Sequence, residues 1–285
     1  MQKIAILTDS SSSMDFVKHQ YDNIFQIRLS VFFDGVEYID GETITNEVFF
    51  KRIVEEKTIP TTSQPSVGQV VEKCEMIKDL GYTDIIYLPL SRGISSSYSS
   101  IMGGKDLIEG VNFHIVDTKS TAVYLSYMAL EAARLVSLGK SVNEIQTHMD
   151  HLINHQHIYF MVDDLKYLVR NGRLSNAAGF VATMLKIKPV LEFDEEGRIV
   201  GTEKIRTLKK TIDTIVGHVK EAMDKHKRIK LCICHGQDQA LLQNLLDEVQ
   251  KIADLEDILI LPIPPVIGAH VGNGVVSLGY FVLEE

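Results

Sequence analysis

At 285 residues with 45% hydrophobic side chains, the chain can bury a substantial core as one large or two ordinary domains, and two is the expected number. A formal net charge of −9 argues against bulk binding to nucleic acid or to anionic lipid surfaces, leaving a local basic stretch at Lys204 to Lys210 for an acidic partner. There is no apolar run of about 18 residues and the N-terminus goes straight into a strand, so neither a signal peptide nor a membrane span is expected; three cysteines, an odd number, point to a cytoplasmic, reducing location rather than a disulfide framework.

Lys3 to Leu7 is a short apolar run ending in Thr8-Asp9-Ser10-Ser11-Ser12-Ser13, a strand running into a hydroxyl-rich loop. A second strand is expected near Ile24 to Phe33, with turn signals at Asp34-Gly35 and Asp40-Gly41 around a hairpin or edge segment. Thr45 caps a helix to about Glu56. Pro60 and Pro65 bracket Thr61-Thr62-Ser63-Gln64 and exclude helix there. Ser66 with Gln69 forms a capping box that opens a helix to about Leu80, closed by Gly81. Asp84 to Leu90 reads as a buried strand and Tyr98 to Glu109 as a helix, in which Gly103-Gly104 would let another backbone approach closely. Val111 to Val116 is a strand ending in Asp117-Thr118-Lys119-Ser120-Thr121 before a long helix to Leu138. Ser141 with Glu144 is a second capping box, opening a helix to about His155.

Three strand-to-hydroxyl-loop junctions with helices between them predict an α/β domain over residues 1–156 with a mostly parallel sheet, whose ligand edge is the carboxyl end of its strands. Thr8 to Ser13, Ser91 to Ser97 and Asp117 to Thr121 should therefore converge. From His157 the pattern changes: a strand at Ile158 to Val162, a short helix from Asp164 to Asn171 ended by Gly172, a helix over Asn176 to Leu185, and a β-hairpin from Lys188 to Phe193 and Arg198 to Lys204. Helices at Thr207 to Lys225 and Asp238 to Ala253 alternate with strands at Ile229 to Cys234 and Ile258 to Ile263. Pro264 to Gly274 reads as irregular chain before a last strand, Val275 to Leu283. Hairpins mixed with helices make residues 157–285 an α+β second domain. Cys232 and Cys234 share one face of their strand and read as core.

Leu88 to Ser100 is the stretch richest in chemistry. A strand ending in a loop of serines that opens a helix directs backbone N–H groups, the helix dipole and several hydroxyls to one place, the outline of a site for an anion held without lysine. The plain alternative is that Ser95 or Ser96 merely caps the helix, although six serines are more than a cap needs. Common catalytic signatures fail. Gly139-Lys140-Ser141 has the tail of a phosphate-binding loop, but the required first glycine falls at Arg134 inside a helix. Gly268 to Gly274 precedes a strand and is no dinucleotide fingerprint. Neither a Gly-x-Ser-x-Gly elbow nor a metal-spaced His/Cys cluster occurs, so no metal or cofactor is expected. Among ten histidines, His270 stands out between Gly268 and Gly272, where small neighbours admit a ligand or another backbone; it also reads as an ordinary loop histidine. Arg173, after the helix-ending Gly172, should stand on an exposed corner, suited to a phosphate or carboxylate or simply solvated.

Taken together, Thr8-Asp9-Ser10, Thr62-Ser63-Gln64-Pro65-Ser66, Leu90 to Ser100, Val116-Asp117-Thr118, Leu168 to Ser175, Lys188-Pro189 and Gly268-Ala269-His270-Val271-Gly272 resemble the DegV family, and specifically the fatty-acid-binding subunits of bacterial fatty-acid kinases. The matching segments span almost the whole chain in the family's order. Arg92 and Ser96 stand where the family often has serine and glycine, and Asn273 where it often has proline. The resemblance implies a two-domain DegV-like fold with one long-chain fatty acid buried between the domains. It assigns the carboxylate to Thr62, Ser63, Ser95, Ser96 and His270, and places Arg173 at the carboxylate end near a partner kinase.

Physical chemistry accommodates that ligand. Burying ~14 methylenes at ~0.8 kcal/mol each gives roughly 11 kcal/mol before the costs of association, so the tail supplies affinity and the head sets orientation. Hydroxyls with one imidazole offset the several kcal/mol that an unpaired buried carboxylate would cost. Phe180, Met184, Ile263 and Ile267 are available to line the tail and read equally as core. The leading expectation is a lipid-binding protein, not itself an enzyme, that touches the membrane transiently, takes up a fatty acid and presents it to a separate ATP-dependent kinase for acyl-phosphate formation and phospholipid synthesis. The competing one is a stand-alone metal-dependent hydrolase or phosphotransferase using Asp9, Asp117, His235 and His270. A transcriptional regulator is disfavoured by the acidic balance and the absence of a helix-turn-helix signal.

Overall fold

β1 (Ile4–Asp9) is buried along its whole length because both of its faces are covered, Ile4 and Ile6 packing toward one layer and Ala5 and Leu7 toward another. The computed structural model describes residues 2–179 and 187–284. β1 lies between β2 (Ile24–Ile27) and β6 (Asp84–Leu88), and β6 pairs in turn with β7 (Asn112–Ile115), giving a parallel sheet of order β2-β1-β6-β7. A second, antiparallel sheet of order β4-β3-β5 joins β3 (Ser30–Phe33), β4 (Val36–Ile39) and β5 (Thr61–Ser63). The third has order β10-β9-β8-β13-β11-β12, from β8 (Gln156–Val162), β9 (Val190–Phe193), β10 (Ile199–Glu203), β11 (Arg228–His235), β12 (Leu259–Pro262) and β13 (Val275–Glu284). The fold is thus mixed α/β, with the expected parallel sheet followed by a mixed one.

The helices fill the spaces between these sheets. α1 (Asn46–Glu56) is capped by Thr45, and α2 (Val67–Asp79) and α5 (Val142–Asn154) open with the two capping boxes read from the sequence. α2 and α3 (Ser97–Gly104) cover the outer face of the parallel sheet through Val70, Cys74, Ile77 and Ile101. α4 (Ala122–Ser137) buries most of its circumference and leaves one partly exposed stripe at Tyr127, Leu130, Glu131 and Arg134, and it packs against β1 on one flank and β11 and β12 on the other. α7 (Leu208–Lys225) and α8 (Gln239–Val249) cover the outer face of the large sheet. α6 (Lys166–Arg170) and α9 (Pro265–Val271) pack on each other, with α9 also against the three-stranded sheet.

Several expectations are corrected. The single strand expected over Ile24 to Phe33 is two strands in different sheets, broken at Arg28-Leu29, where the Arg28 guanidinium pairs with Asp15 at 2.5 Å and Leu29 turns inward. Thr61 to Ser63 is non-helical as expected and forms a short strand, whereas the helix expected to run to Glu109 leaves α-geometry at Gly104. Of the glycine pair, Gly103 faces open space and Gly104 makes room for the Val67 side chain, not for another backbone. Pro265 to Val271 is the largest departure, since a helix stands where irregular chain was expected. The helix expected over Asn176 to Leu185 falls mostly outside the described residues, as do Phe180 and Met184. All three cysteines are free and buried. No helix among the described residues is long and apolar enough to cross a membrane.

Candidate functional site

The three hydroxyl-rich junctions do converge. The Asp9 carboxylate accepts hydrogen bonds from the Ser11 N–H at 3.0 Å, the Ser11 hydroxyl at 2.5 Å and the Leu90 N–H at 2.9 Å, tying the first loop to the serine loop. Burial nevertheless pushes its pKa up to about 6. The Ser91 N–H donates to the Ser120 carbonyl at 2.8 Å, and the Arg92 N–H to Asp117 at 3.0 Å. Within the serine loop the hydroxyls divide their work. Ser91 donates to the Gly197 carbonyl at 2.7 Å and accepts from the Gly93 N–H at 3.1 Å. The Ser95 hydroxyl accepts from the Ser97 N–H at 3.1 Å and lies 3.0 Å from the Ser97 hydroxyl, while Ser96, the residue before α3, makes no capping bond.

α9 brings His270 to the opposite wall. Gly268 is needed there because a Cβ would meet the Phe49 and Phe50 rings, and Gly272 because one would meet the Tyr167 ring and its φ is 77°. The glycines flanking His270 thus seat the helix against aromatic side chains. His270 Nε2 lies 2.8 Å from the Thr62 hydroxyl on β5, and its Nδ1 is buried with no hydrogen-bond partner among the described residues. Desolvation, reinforced by the positive charge of Arg173, pulls the His270 pKa down to about 3, so the imidazole is neutral near pH 7. Asn171 donates to the Ala269 carbonyl at 2.9 Å and fixes the end of α9. Arg173 is half-buried rather than on an exposed corner: its Nε donates to the Ile94 carbonyl at 3.2 Å and its Nη1 to the Asn171 carbonyl at 2.5 Å. It therefore spans from the serine loop to the segment that holds α9.

These walls enclose a cavity of about 330 Å³, within the usual range for small-molecule pockets. Thr62, Ser63, Ser95, Ser96, His270 and Arg173 all line it, as does Gln64, and Arg173 is the one lining residue with a permanent charge among those described. The rest is mainly apolar, from Leu29, Leu90, Ile94, Phe193, Ile199, Ile263 and Ile267 among others. Its floor is one face of the large sheet, where alternate residues Ile158 and Phe160 of β8, Val275 and Ser277 of β13, and Cys234 of β11 point inward. Phe160, Ser277 and Cys234 lie in one row across three strands, and in the next row Ile158 pairs with Gly279 and Gly279 with Cys232. Small residues in those rows leave the space that side chains of ordinary size would fill. The cysteine alternation was visible in the sequence; nothing in the sequence marked Ser277, Leu29 or Tyr124 as lining residues.

Asp9, Asp117, His235 and His270 do not assemble into a common site. Asp9 is engaged by Ser11 and Leu90, Asp117 pairs with Arg92 at 3.0 Å, His235 Nδ1 lies 2.6 Å from the Gly236 carbonyl, and His270 faces Thr62. Among the described residues no group of three or more His, Cys, Asp or Glu side chains is placed to hold a metal ion. The cluster required by the hydrolase or phosphotransferase expectation is therefore not formed.

A family model described as "Uncharacterised protein, DegV family" matches residues 3–283. A DegV domain-containing protein of Staphylococcus aureus is 38% identical over 285 residues, covering 98% of this chain and 97% of its own. The crystal structure of a fatty acid binding DegV family protein from Streptococcus agalactiae superposes with a TM-score of 0.91 at 28% identity, covering 99% of both chains. A DegV family protein from Thermus thermophilus, described by its fatty acid binding, gives 0.88 at 26% identity over 99% of this chain and 100% of its own. On the family match and the 38% identity over nearly all of both chains, the chain belongs to the DegV family.

Proposed function

We propose that this chain binds one long-chain fatty acid in the cavity between the serine loop, α9 and the large sheet, and presents its carboxylate to a separate ATP-dependent kinase. The observation that carries the reading is a mainly apolar cavity in which Thr62 and His270 face each other at 2.8 Å, with Ser63, Gln64, Ser95, Ser96 and Arg173 also in its wall. An acyl tail matches the apolar lining and a carboxylate the polar groups. The fatty acids bound by the Streptococcus agalactiae and Thermus thermophilus relatives support the same ligand class.

At the polar end the carboxylate would accept hydrogen bonds from Thr62 and the neutral His270, with Ser63, Ser95 and Ser96 around it. Arg173 supplies the compensating charge. Its guanidinium is already partly desolvated, so an anion placed beside it gains a strong interaction in a medium of low dielectric constant. The same fork suits phosphoryl transfer, which depends on positioning and on neutralising charge spread over the phosphoryl oxygens. Acyl phosphate formed in this way would feed phospholipid synthesis, and loading from a membrane would need only transient contact, since the overall charge of −9 repels anionic lipid. Purified protein should be denatured, extracted with solvent and examined by mass spectrometry. One long-chain fatty acid per chain is expected; a chain that carries no lipid and takes none up from added fatty acid would overturn the proposal.

A further inference from the structure

We propose that Tyr124 is the end wall of the acyl channel and sets the longest chain that the cavity accepts, a deepening that rests on the fatty-acid reading above. The polar end lies where β11 and β12 finish, because the Ile263 N–H donates to the His235 carbonyl just before α9 begins. β13 runs from that level inward: Val276 pairs with His235, Ser277 with Cys234 and Gly279 with Cys232. From Val275 to Gly279 is four residue steps, about 13 Å of strand. Tyr124, in the first turn of α4, lies across the sheet at the inner limit of that span. A Cβ on Gly279 would come within 2.7 Å of the Tyr124 ring and 2.8 Å of its hydroxyl, so the ring is seated directly on the glycine. The hydroxyl donates to the Ser277 hydroxyl at 3.0 Å and lies 3.3 Å from the Cys232 carbonyl, and the residue is 1% exposed.

A ring whose hydroxyl is held by hydrogen bonds and whose outer edge is seated on a glycine cannot swing aside as a leucine or methionine could. Acyl carbons that reach Tyr124 have no further apolar surface to bury, and longer chains must fold back or leave their heads out of register with Thr62 and His270. Affinity should rise about fourfold with each added methylene, stop rising at the length that touches the ring, and fall beyond it.

The test is displacement of a fluorescent fatty acid from delipidated protein by a graded series of straight-chain saturated acids, with wild type, Tyr124→Phe, Tyr124→Leu and Cys234→Val compared. Tyr124→Phe keeps the ring and should keep the same break in the series. Tyr124→Leu should move the break to chains longer by one or more methylenes, and Cys234→Val, which narrows the floor one row nearer the polar end, should move it to shorter ones. An unmoved break in Tyr124→Leu with native secondary structure, or in Cys234→Val should the leucine variant fail to fold, would overturn the assignment. Wild-type protein that binds no acid of any length would instead overturn the fatty-acid reading itself.

Discussion

Thr62 and His270 face each other at 2.8 Å across two elements far apart in sequence, and on the proposed reading both turn to a fatty-acid carboxylate. Removing either should leave a bound carboxylate one hydrogen bond short. Thr62→Ala and His270→Ala are therefore expected to weaken fatty-acid binding by ~1 to 3 kcal/mol, with Ser95→Ala in the same range, and unchanged affinity in all three correctly folded variants by titration would dismiss the head-group assignment. His270 also couples stability to pH. Its pKa falls from 6.5 to about 3 on folding, so the unfolded chain binds the extra proton between those values. Its contribution is complete above pH 6.5 and is lost as the pH falls toward 3. Asp9 and Asp40 have the opposite sign: burial raises them from 3.8 to about 6 and about 7, so their contributions are complete below 3.8 and are lost as the pH rises through those values. The difference between wild type and His270→Gln isolates the histidine. In the absence of lipid, thermal melts should show the variant losing less stability than wild type on acidification from pH 6.5; parallel losses would mean that His270 is not held neutral.

At the scale of elements, the β9–β10 hairpin and the serine loop are pinned by a single side chain. Ser91 joins the Gly197 carbonyl to the Gly93 N–H, and Gly93 approaches Gly197 so closely that a Cβ would lie 2.3 Å from the Gly197 carbonyl oxygen. Ser91→Ala strands both backbone groups and should cost ~1 to 3 kcal/mol in urea denaturation, whereas an unchanged midpoint would show that water replaces the hydroxyl. The elements that announce themselves in the sequence do so by local chemistry. Ser66-Gln69 and Ser141-Glu144 specify helix starts within four residues, and the carboxyl-end loops follow from strands whose both faces are apolar. α9 was hidden because seven residues hold too few turns for a hydrophobic period, and Gly268 and Gly272 read as loop although one serves Phe49 and Phe50 and the other Tyr167. Pro265 at its first turn was the available signal. The division of β2 from β3 was likewise a tertiary matter, since β2 pairs with β1 and β3 with β4 and β5 in a different sheet.

For the whole molecule, the site lies where loops at the carboxyl ends of the parallel sheet meet the face of the mixed sheet, so both halves of the chain contribute to its polar and to its apolar lining. The polar part was legible because hydroxyls, a flanked histidine and an arginine after a helix-ending glycine are conspicuous chemistry. The apolar part was not, because a cavity is made by small residues such as Ser277 and Gly279 whose significance depends on what lies across from them. Arg173 links the two halves through the Ile94 and Asn171 carbonyls. Arg173→Ala is expected to keep fatty-acid affinity within about a factor of ten while losing most of the acyl phosphate formed with a partner kinase and ATP, and Arg173→Lys to restore only part of it, since an ammonium lacks the planar fork. Full product yield from Arg173→Ala would remove the arginine from transfer. The central claim is that a carboxylate sits at the polar end with an acyl tail behind it, and calorimetric titration of delipidated protein with a long-chain fatty acid and with its methyl ester tests that claim most directly. The account predicts that the free acid binds more tightly than the ester and that His270→Ala narrows the gap; equal affinities for acid and ester in the wild-type protein would contradict it.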